Sequence, residues 1–144
     1  MDVPLMSTGF GQLKIFSGSA HPQLTKEICE VLGISVGQAR LRRFPDSEVS
    51  FQIDENIRGT DVFIVQPTNP PGDNVMELLL LIDAARRASA ARITVVMPYY
   101  GYARQDRKDQ PRGAIGAKLM ANMVIGAGAD RVRGREVHQQ QLQG

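Results

Sequence analysis

Two stretches of this 144-residue chain constrain its fold most: Val62-Phe63-Ile64-Val65, and a second apolar run over 93–97. Neither alternates between apolar and polar residues, as a strand with one wet face must. Strands that read this way are covered by helices on both faces, and such strands are parallel and joined by crossover helices. The expected class is therefore α/β: a three-layer sandwich with a mostly parallel sheet in the middle.

The flanking segments fit that class. Residues 12–17 read as another buried strand. Leu24, Ile28, Val31 and Leu32 then share a helical face, with Pro22 in the first turn and Gly33 after the last apolar residue. His21, at the start of this helix, is expected to have a structural role. Residues 39–44 and 49–53 read as strands, and the turn formers Pro45, Asp46 and Ser47 between them predict a β-hairpin with one wet face. Asn74 and Glu77 have capping-box spacing, predicting a helix to about residue 90. That helix is apolar over most of its circumference, which implies extensive burial, partly against another subunit. Residues 98–113 form a polar loop. Ile115, Leu119, Met120, Met123 and Val124 then line one face of a last helix ended by Gly126 and Gly128. Arg131, Arg133 and Arg135 alternate with Val132 and Gly134, so the closing strand is expected to be frayed or at an edge. With no internal repeat or interior linker, residues 1–144 read as a single domain.

Composition excludes several function classes. The 17 basic and 15 acidic side chains leave a net charge of +2, spread along the chain. Without a basic stripe interleaved with aromatics, no nucleic-acid partner is expected. Cys29 is the single cysteine, so neither an intrachain disulfide nor a thiolate metal cluster can form. No apolar run approaches membrane-spanning length and no signal peptide is visible, so the expectation is a cytoplasmic protein with no membrane partner.

The chemistry concentrates after the second apolar run. In open α/β sheets ligands bind beyond the carboxyl ends of the strands, and the loop over 98–113 starts there. It carries Arg104, Arg107, Lys108 and Arg112, with Asp106 and Asp109 among them. Arginine grips phosphate oxygens through paired hydrogen bonds and lysine supplies a point charge, so the loop could hold a polyphosphate. Gln105 could read a base or sugar edge, and the aspartates could orient cations or bind the waters around magnesium. On charge pattern alone, a solvated mixed-charge loop remains the alternative.

The wording of the segment goes further. Tyr99-Tyr100-Gly101-Tyr102-Ala103-Arg104-Gln105-Asp106-Arg107-Lys108 resembles the signature loop of ribose-phosphate diphosphokinases. The resemblance runs from about residue 13 to residue 130. It includes Lys14-Ile15-Phe16-Ser17, Arg43-Phe44-Pro45-Asp46-Ser47-Glu48-Val49, Ile57-Arg58-Gly59 and Met76-Glu77-Leu78-Leu79.

That resemblance implies ATP as ligand and Mg2+ as cofactor. It also implies transfer of a diphosphoryl group from Mg-ATP to ribose 5-phosphate, giving phosphoribosyl diphosphate and AMP. By the same resemblance the hairpin turn reaches into a neighbouring subunit's site, with Phe44 stacking on adenine and Asp46 and Glu48 hydrogen-bonding the base. Ser47 stands where many members carry glycine, which puts the turn geometry in question. Arg104 and Gln105 match ATP contacts and Asp109 matches an acidic residue near the nucleotide, so all three are candidate ATP-binding residues, while Arg107, Lys108 and Arg112 are further candidate phosphate contacts. His138, in Glu136-Val137-His138, matches a histidine that binds magnesium and ATP. The family's sugar-phosphate loop lies in a second domain that these residues do not include. The chain is thus expected to supply the ATP-binding half of the enzyme and to be inactive alone. Shared sites imply a homo-oligomer, or a hetero-oligomer with full-length synthetase. The competing expectations are a non-catalytic regulatory or binding partner of full-length synthetase, and a truncated remnant.

Overall fold

The computed structural model describes residues 6–105 and 111–134. In chain order the elements are β1 (Ser7–Thr8), β2 (Gly11–Ser17), α1 (Pro22–Leu32), β3 (Ala39–Arg43), β4 (Val49–Ile53) and β5 (Asp61–Val65). They continue with α2 (Asp73–Arg87), β6 (Arg92–Met97), α3 (Gly116–Ala127) and β7 (Arg131–Gly134). The main sheet has the order β1-β2-β5-β6-β7, and β3 and β4 form a separate two-stranded sheet. Strands β2, β5, β6 and β7 are parallel in register, for example Ile15 opposite Phe63 and Ile64 opposite Val95. Only β1 runs antiparallel. The class is the mixed α/β arrangement that the two apolar runs predict.

Helices cover both faces. Leu13, Ile15 and Val65 meet Cys29 of α1 on one side. Phe16, Val62, Ile64, Val95 and Met97 meet α2 and α3 on the other. Each large side chain buried as fully as Ile64 or Leu78, both at 0% exposure, contributes about 1.5–3 kcal/mol. The hairpin lies over α2, with Ala39, Phe51 and Ile53 packed against the same core. Much of the apolar girth of α2 is thus covered within this chain by the sheet, the hairpin and α3, while Met76 remains half exposed.

Several local expectations need correction. Val31 is 87% exposed, whereas Leu24, Ile28 and Leu32 pack partly buried beside the buried Thr25 and Cys29 of α1. Asn74 and Glu77 make no capping box: Gly72 is the N-cap of α2 without a side-chain cap bond. The Asn74 amide donates to Asn69 O instead, at 2.7 Å, and Glu77 points inward to other partners. Leu119 and Met123 are exposed on α3, whose buried residues are Ala117, Met120, Ala121 and Val124. The inward face of α3 is therefore rotated toward its alanines, which allow close approach of the helix. Gly126 lies within α3, and Gly128 is its C-cap.

Other expectations hold. His21 caps α1, its Nδ1 accepting from Leu24 N at 3.3 Å. Gly33 ends that helix in the left-handed conformation. Strand β7 is the sheet edge, where Arg131 donates to Thr94 Oγ1 at 3.0 Å, so its charge has a polar partner. Arg135 lies outside the described residues.

The amino end of the sheet is closed by a buried ion pair. Asp61 is fully buried and accepts two hydrogen bonds from Arg92, at 3.1 and 2.7 Å, and one from Thr8 at 2.7 Å. The Arg92 guanidinium also lies 3.9 Å from the centre of the Phe10 ring. Burial alone would raise the Asp61 carboxyl, but the hydrogen bonds from Arg92 and Thr8 and the charges of Arg92 and Arg131 outweigh it and hold it low. A carboxyl lowered by folding stabilises the fold above its unfolded value of 3.8, and that contribution is lost as pH falls through the lower folded value. Asp61→Asn should therefore be clearly less stable than wild type at neutral pH. Denaturant unfolding followed by circular dichroism should show the difference narrowing in acid; a pH-independent difference would contradict this assignment.

Candidate functional site

The loops at the carboxyl ends of β2, β5 and β6 meet at one edge of the sheet, where parallel α/β folds leave their crevice. Three polar knots tie them together. The first joins the loop after β5 to the loop after β6. Thr68 N donates to Tyr99 O at 3.0 Å, and Gly101 N donates to Thr68 Oγ1 at 2.7 Å. Thr68 is fully buried, and a side chain on Gly101 would run into the Thr68 carbonyl. Glycine is therefore required there by close backbone approach.

The second knot fixes the loop after β6 to α3. Tyr100 is buried, and its hydroxyl donates to Ala117 O at 2.9 Å. Burial pushes the Tyr100 phenol up to about 12, so it stays a neutral donor at any ordinary pH. Ala117 N in turn donates to Gln105 O at 3.0 Å. The start of the signature loop is thus clamped at both of its ends.

The third knot is centred on Glu77, whose carboxylate is almost wholly buried. Ser19 donates to it from its backbone N at 2.9 Å and from its hydroxyl at 2.7 and 2.8 Å. Gln66 Nε2 donates at 3.3 Å, while Gln66 Oε1 accepts from Ala20 N at 3.2 Å. Gly18 lies so close to the Gln66 amide that any side chain there would collide with it. Arg43, at the end of β3, approaches Glu77 at 3.6 Å and Asp73 at 3.8 Å. The hairpin turn therefore sits at the same end of the sheet as the three loops.

The candidate residues fall into three groups. Phe44, Asp46 and Glu48 occupy the hairpin turn and are exposed, Phe44 by 52%. The turn closes on itself: Phe44 N donates to Glu48 O and Ser47 N to Phe44 O, both at 2.8 Å. Asp46 Oδ1 accepts from Glu48 N at 3.0 Å, so one of its oxygens is already engaged. Ser47 takes a left-handed backbone, φ 75°, the conformation glycine adopts without penalty.

Arg104 and Gln105 form the second group; both are exposed, at the far end of the clamped stretch, where Gln105 O accepts from Ala117 N. No described residue pairs with the Arg104 guanidinium. The Gln105 side chain lies beside Gly116 and helps line a cavity of about 380 Å³ with Tyr102, Leu119 and Met123. Arg112 is exposed with φ 61° in the turn leading to α3. Asp109, Arg107, Lys108 and His138 form the third group and lie outside the described residues. No hydrogen bond or ion pair among the described residues links the hairpin group directly to Arg104, Gln105 or Arg112.

Residue patterns gave no site role to Thr68, Ser19 or Gln66; Gly101 and Glu77 appeared in segments that carry the resemblance, but Glu77 was otherwise read only as a cap. One signal was available for Glu77: a lone charge within the apolar run of α2. Its partners lie 11, 34 and 58 positions away, beyond the reach of any local pattern.

Residues 13–128 match the family described as the N-terminal domain of ribose phosphate pyrophosphokinase. Among curated relatives, the ribose-phosphate pyrophosphokinase of Chlorobaculum tepidum is 55% identical over 92% of this chain and 41% of its own length. The chloroplastic ribose-phosphate pyrophosphokinase 2 of Spinacia oleracea is 52% identical over 92% of the chain and 34% of its own. The crystal structure of phosphoribosylpyrophosphate synthetase from Mycobacterium smegmatis superposes with a TM-score of 0.85 and 41% identity, covering 92% of this chain and 45% of that one. The chain thus spans less than half the length of these relatives. Fold, signature loop and hairpin lead to one assignment: the chain belongs to the ribose-phosphate pyrophosphokinase family and matches its N-terminal domain.

Proposed function

We propose that this chain supplies the ATP-binding half of a ribose-phosphate diphosphokinase and has no synthetase activity by itself. One observation carries the reading. The cationic signature loop leaves the carboxyl end of β6 with its first residues clamped by Thr68 and Ala117, while Arg104 stays exposed without a partner among the described residues. An arginine on an anchored loop, with no carboxylate partner among the described residues, is suited to a ligand's phosphate oxygens. The exposed Phe44 ring offers a face for a purine, and Asp46 and Glu48 supply acceptors for an exocyclic amine. Because these side chains project from the hairpin turn, they suit a nucleotide held by a neighbouring subunit, which makes the working form an oligomer.

The reaction moves a diphosphoryl group: the anomeric hydroxyl of ribose 5-phosphate attacks the β-phosphorus of ATP, and AMP leaves. Transfers of this kind depend on in-line positioning and on neutralising charge around the transferred group. Arg104, with Arg107, Lys108 and Arg112 as further cations of the loop, would bind and orient the nucleotide's phosphates. Among the described residues, no group of three His, Cys, Asp or Glu side chains is arranged to hold a metal ion. Magnesium would enter as part of the Mg-ATP substrate, where it offsets phosphate charge. Asp109 and His138 are the candidates for meeting it from the protein side. The ribose 5-phosphate site would belong to the part of the relatives' length that this chain does not span. Among the described residues no helix is long and apolar enough to cross a membrane.

The reading predicts that calorimetric titration detects Mg-ATP binding and that Arg104→Ala weakens it about tenfold or more, the effect of losing a charge-assisted hydrogen bond. Unchanged affinity in that variant would remove Arg104 from the site. With ribose 5-phosphate added, the purified chain should release neither AMP nor phosphoribosyl diphosphate; formation of both would overturn the inactivity. Gly101→Ala should cost about 1–3 kcal/mol of stability by overpacking against Thr68. It should also weaken nucleotide binding, and a variant as stable and as tightly binding as wild type would show the loop clamp to be dispensable.

A further inference from the structure

We propose that Glu77 is a positioning residue for the hairpin turn, fixing its placement at the carboxyl end of the sheet through Arg43. The effect on nucleotide binding rests on the function proposed above; the anchoring itself does not.

The hairpin is a two-stranded ribbon outside the main sheet, and an isolated ribbon of that size is marginally stable in water. Its root is well held. Gln38 N donates to Glu55 at 2.7 Å, Lys14 pairs with Glu55 at 2.6 Å and Arg40 pairs with Asp54 at 2.7 Å. The middle of the ribbon is held by Phe51 and Ile53 against the core. Beyond Phe51 no hairpin residue toward the turn is among those packed against the core, and Phe44 is 52% exposed. Among the described residues, the turn's remaining ties to the body of the protein are those of Arg43 to Asp73 and Glu77.

These two carboxylates are not equivalent anchors. Asp73 is 63% exposed, and an ion pair in water contributes little and restrains little. Glu77 is 1% exposed, and its oxygens are fixed by Ser19 and Gln66 before Arg43 arrives. Among the described residues, Arg43 is the one cation within ion-pair distance of that buried charge. A buried carboxylate held by neutral donors favours the approach of a cation, and its fixed geometry transmits to whatever the cation carries. Here the cation belongs to the residue immediately before Phe44, and it also donates to Ser47 O at 3.4 Å within the turn. The same carboxylate gathers the turn after β2 and the end of β5. One group thus sets the relative placement of two crevice loops and the hairpin turn.

A fluorescent reporter separates anchoring from ligand binding. The chain has no tryptophan, so Phe44→Trp places a single indole at the turn. In that background and without nucleotide, Arg43→Ala should raise acrylamide quenching and the amplitude of fast anisotropy decay roughly two- to fivefold, in keeping with loss of one ion pair. Arg43→Lys should restore most of the restraint, because it keeps the charge. The measurements are made well below the thermal midpoint of every variant, because Arg43→Ala leaves the buried Glu77 charge without its cation and lowers that midpoint. Unchanged quenching and decay in Arg43→Ala, or no rescue by Arg43→Lys, would overturn the anchoring. In protein retaining Phe44, Arg43→Ala should weaken Mg-ATP several-fold and Arg43→Lys should recover it. A loosened turn with unchanged Mg-ATP affinity would overturn the positioning role. If wild type itself binds no adenine nucleotide, the nucleotide reading fails, while the fluorescence still decides the anchoring.

Discussion

The structure depends on covering β5 and β6 from both sides. Val62, Ile64 and Val95 have no exposure, and on the other face of their strands Phe63 and Val96 are at least partly buried. Such strands need parallel neighbours in the sheet and helices above and below. Once that is satisfied, β2, β5, β6 and β7 all end at the same edge, and the connecting loops that leave it are brought together. The candidate site follows from this geometry: the loop after β6 becomes a neighbour of the loop after β5 because their strands are hydrogen-bonded side by side.

The two ends of the sheet then have different tasks. At the amino end, Asp61, Arg92, Thr8 and the Phe10 ring form a closed set in which the charges meet each other. At the carboxyl end, polar groups are spent on joining loops: Thr68 to Gly101, Tyr100 to Ala117, Ser19 and Gln66 to Glu77. The side chains suited to an anionic ligand, Arg104 and Arg112, are the ones left exposed. The loop's backbone is hydrogen-bonded at Gly101 and Gln105, while the Arg104 and Arg112 side chains have no partner among the described residues.

Much of the fold was legible because it is written in short-range pattern. The apolar runs at 62–65 and 93–97 announced buried parallel strands, Pro45-Asp46-Ser47 announced a hairpin, and the alternating arginines after residue 130 announced a strand either frayed or at an edge. Helix faces were less legible. Val31, Leu119 and Met123 satisfy helical spacing yet face outward, because the sheet selects the side that can approach most closely. For α1 that side carries Thr25 and Cys29, and for α3 it carries Ala117 and Ala121. Periodicity counts apolar residues but gives small ones too little weight. The capping box at Asn74 failed for a related reason: Glu77 had stronger partners in space than the helix start could offer.

The sequence by itself determined the sheet, the placement of a cationic loop at its carboxyl edge and the family wording of that loop. Tertiary structure decided which polar groups hold the site and which remain free to act. A residue pattern records which positions of one element share a face. The partners of a buried charge such as Glu77 come from β3, β5 and the turn after β2, whose juxtaposition exists only once the apolar layers have closed.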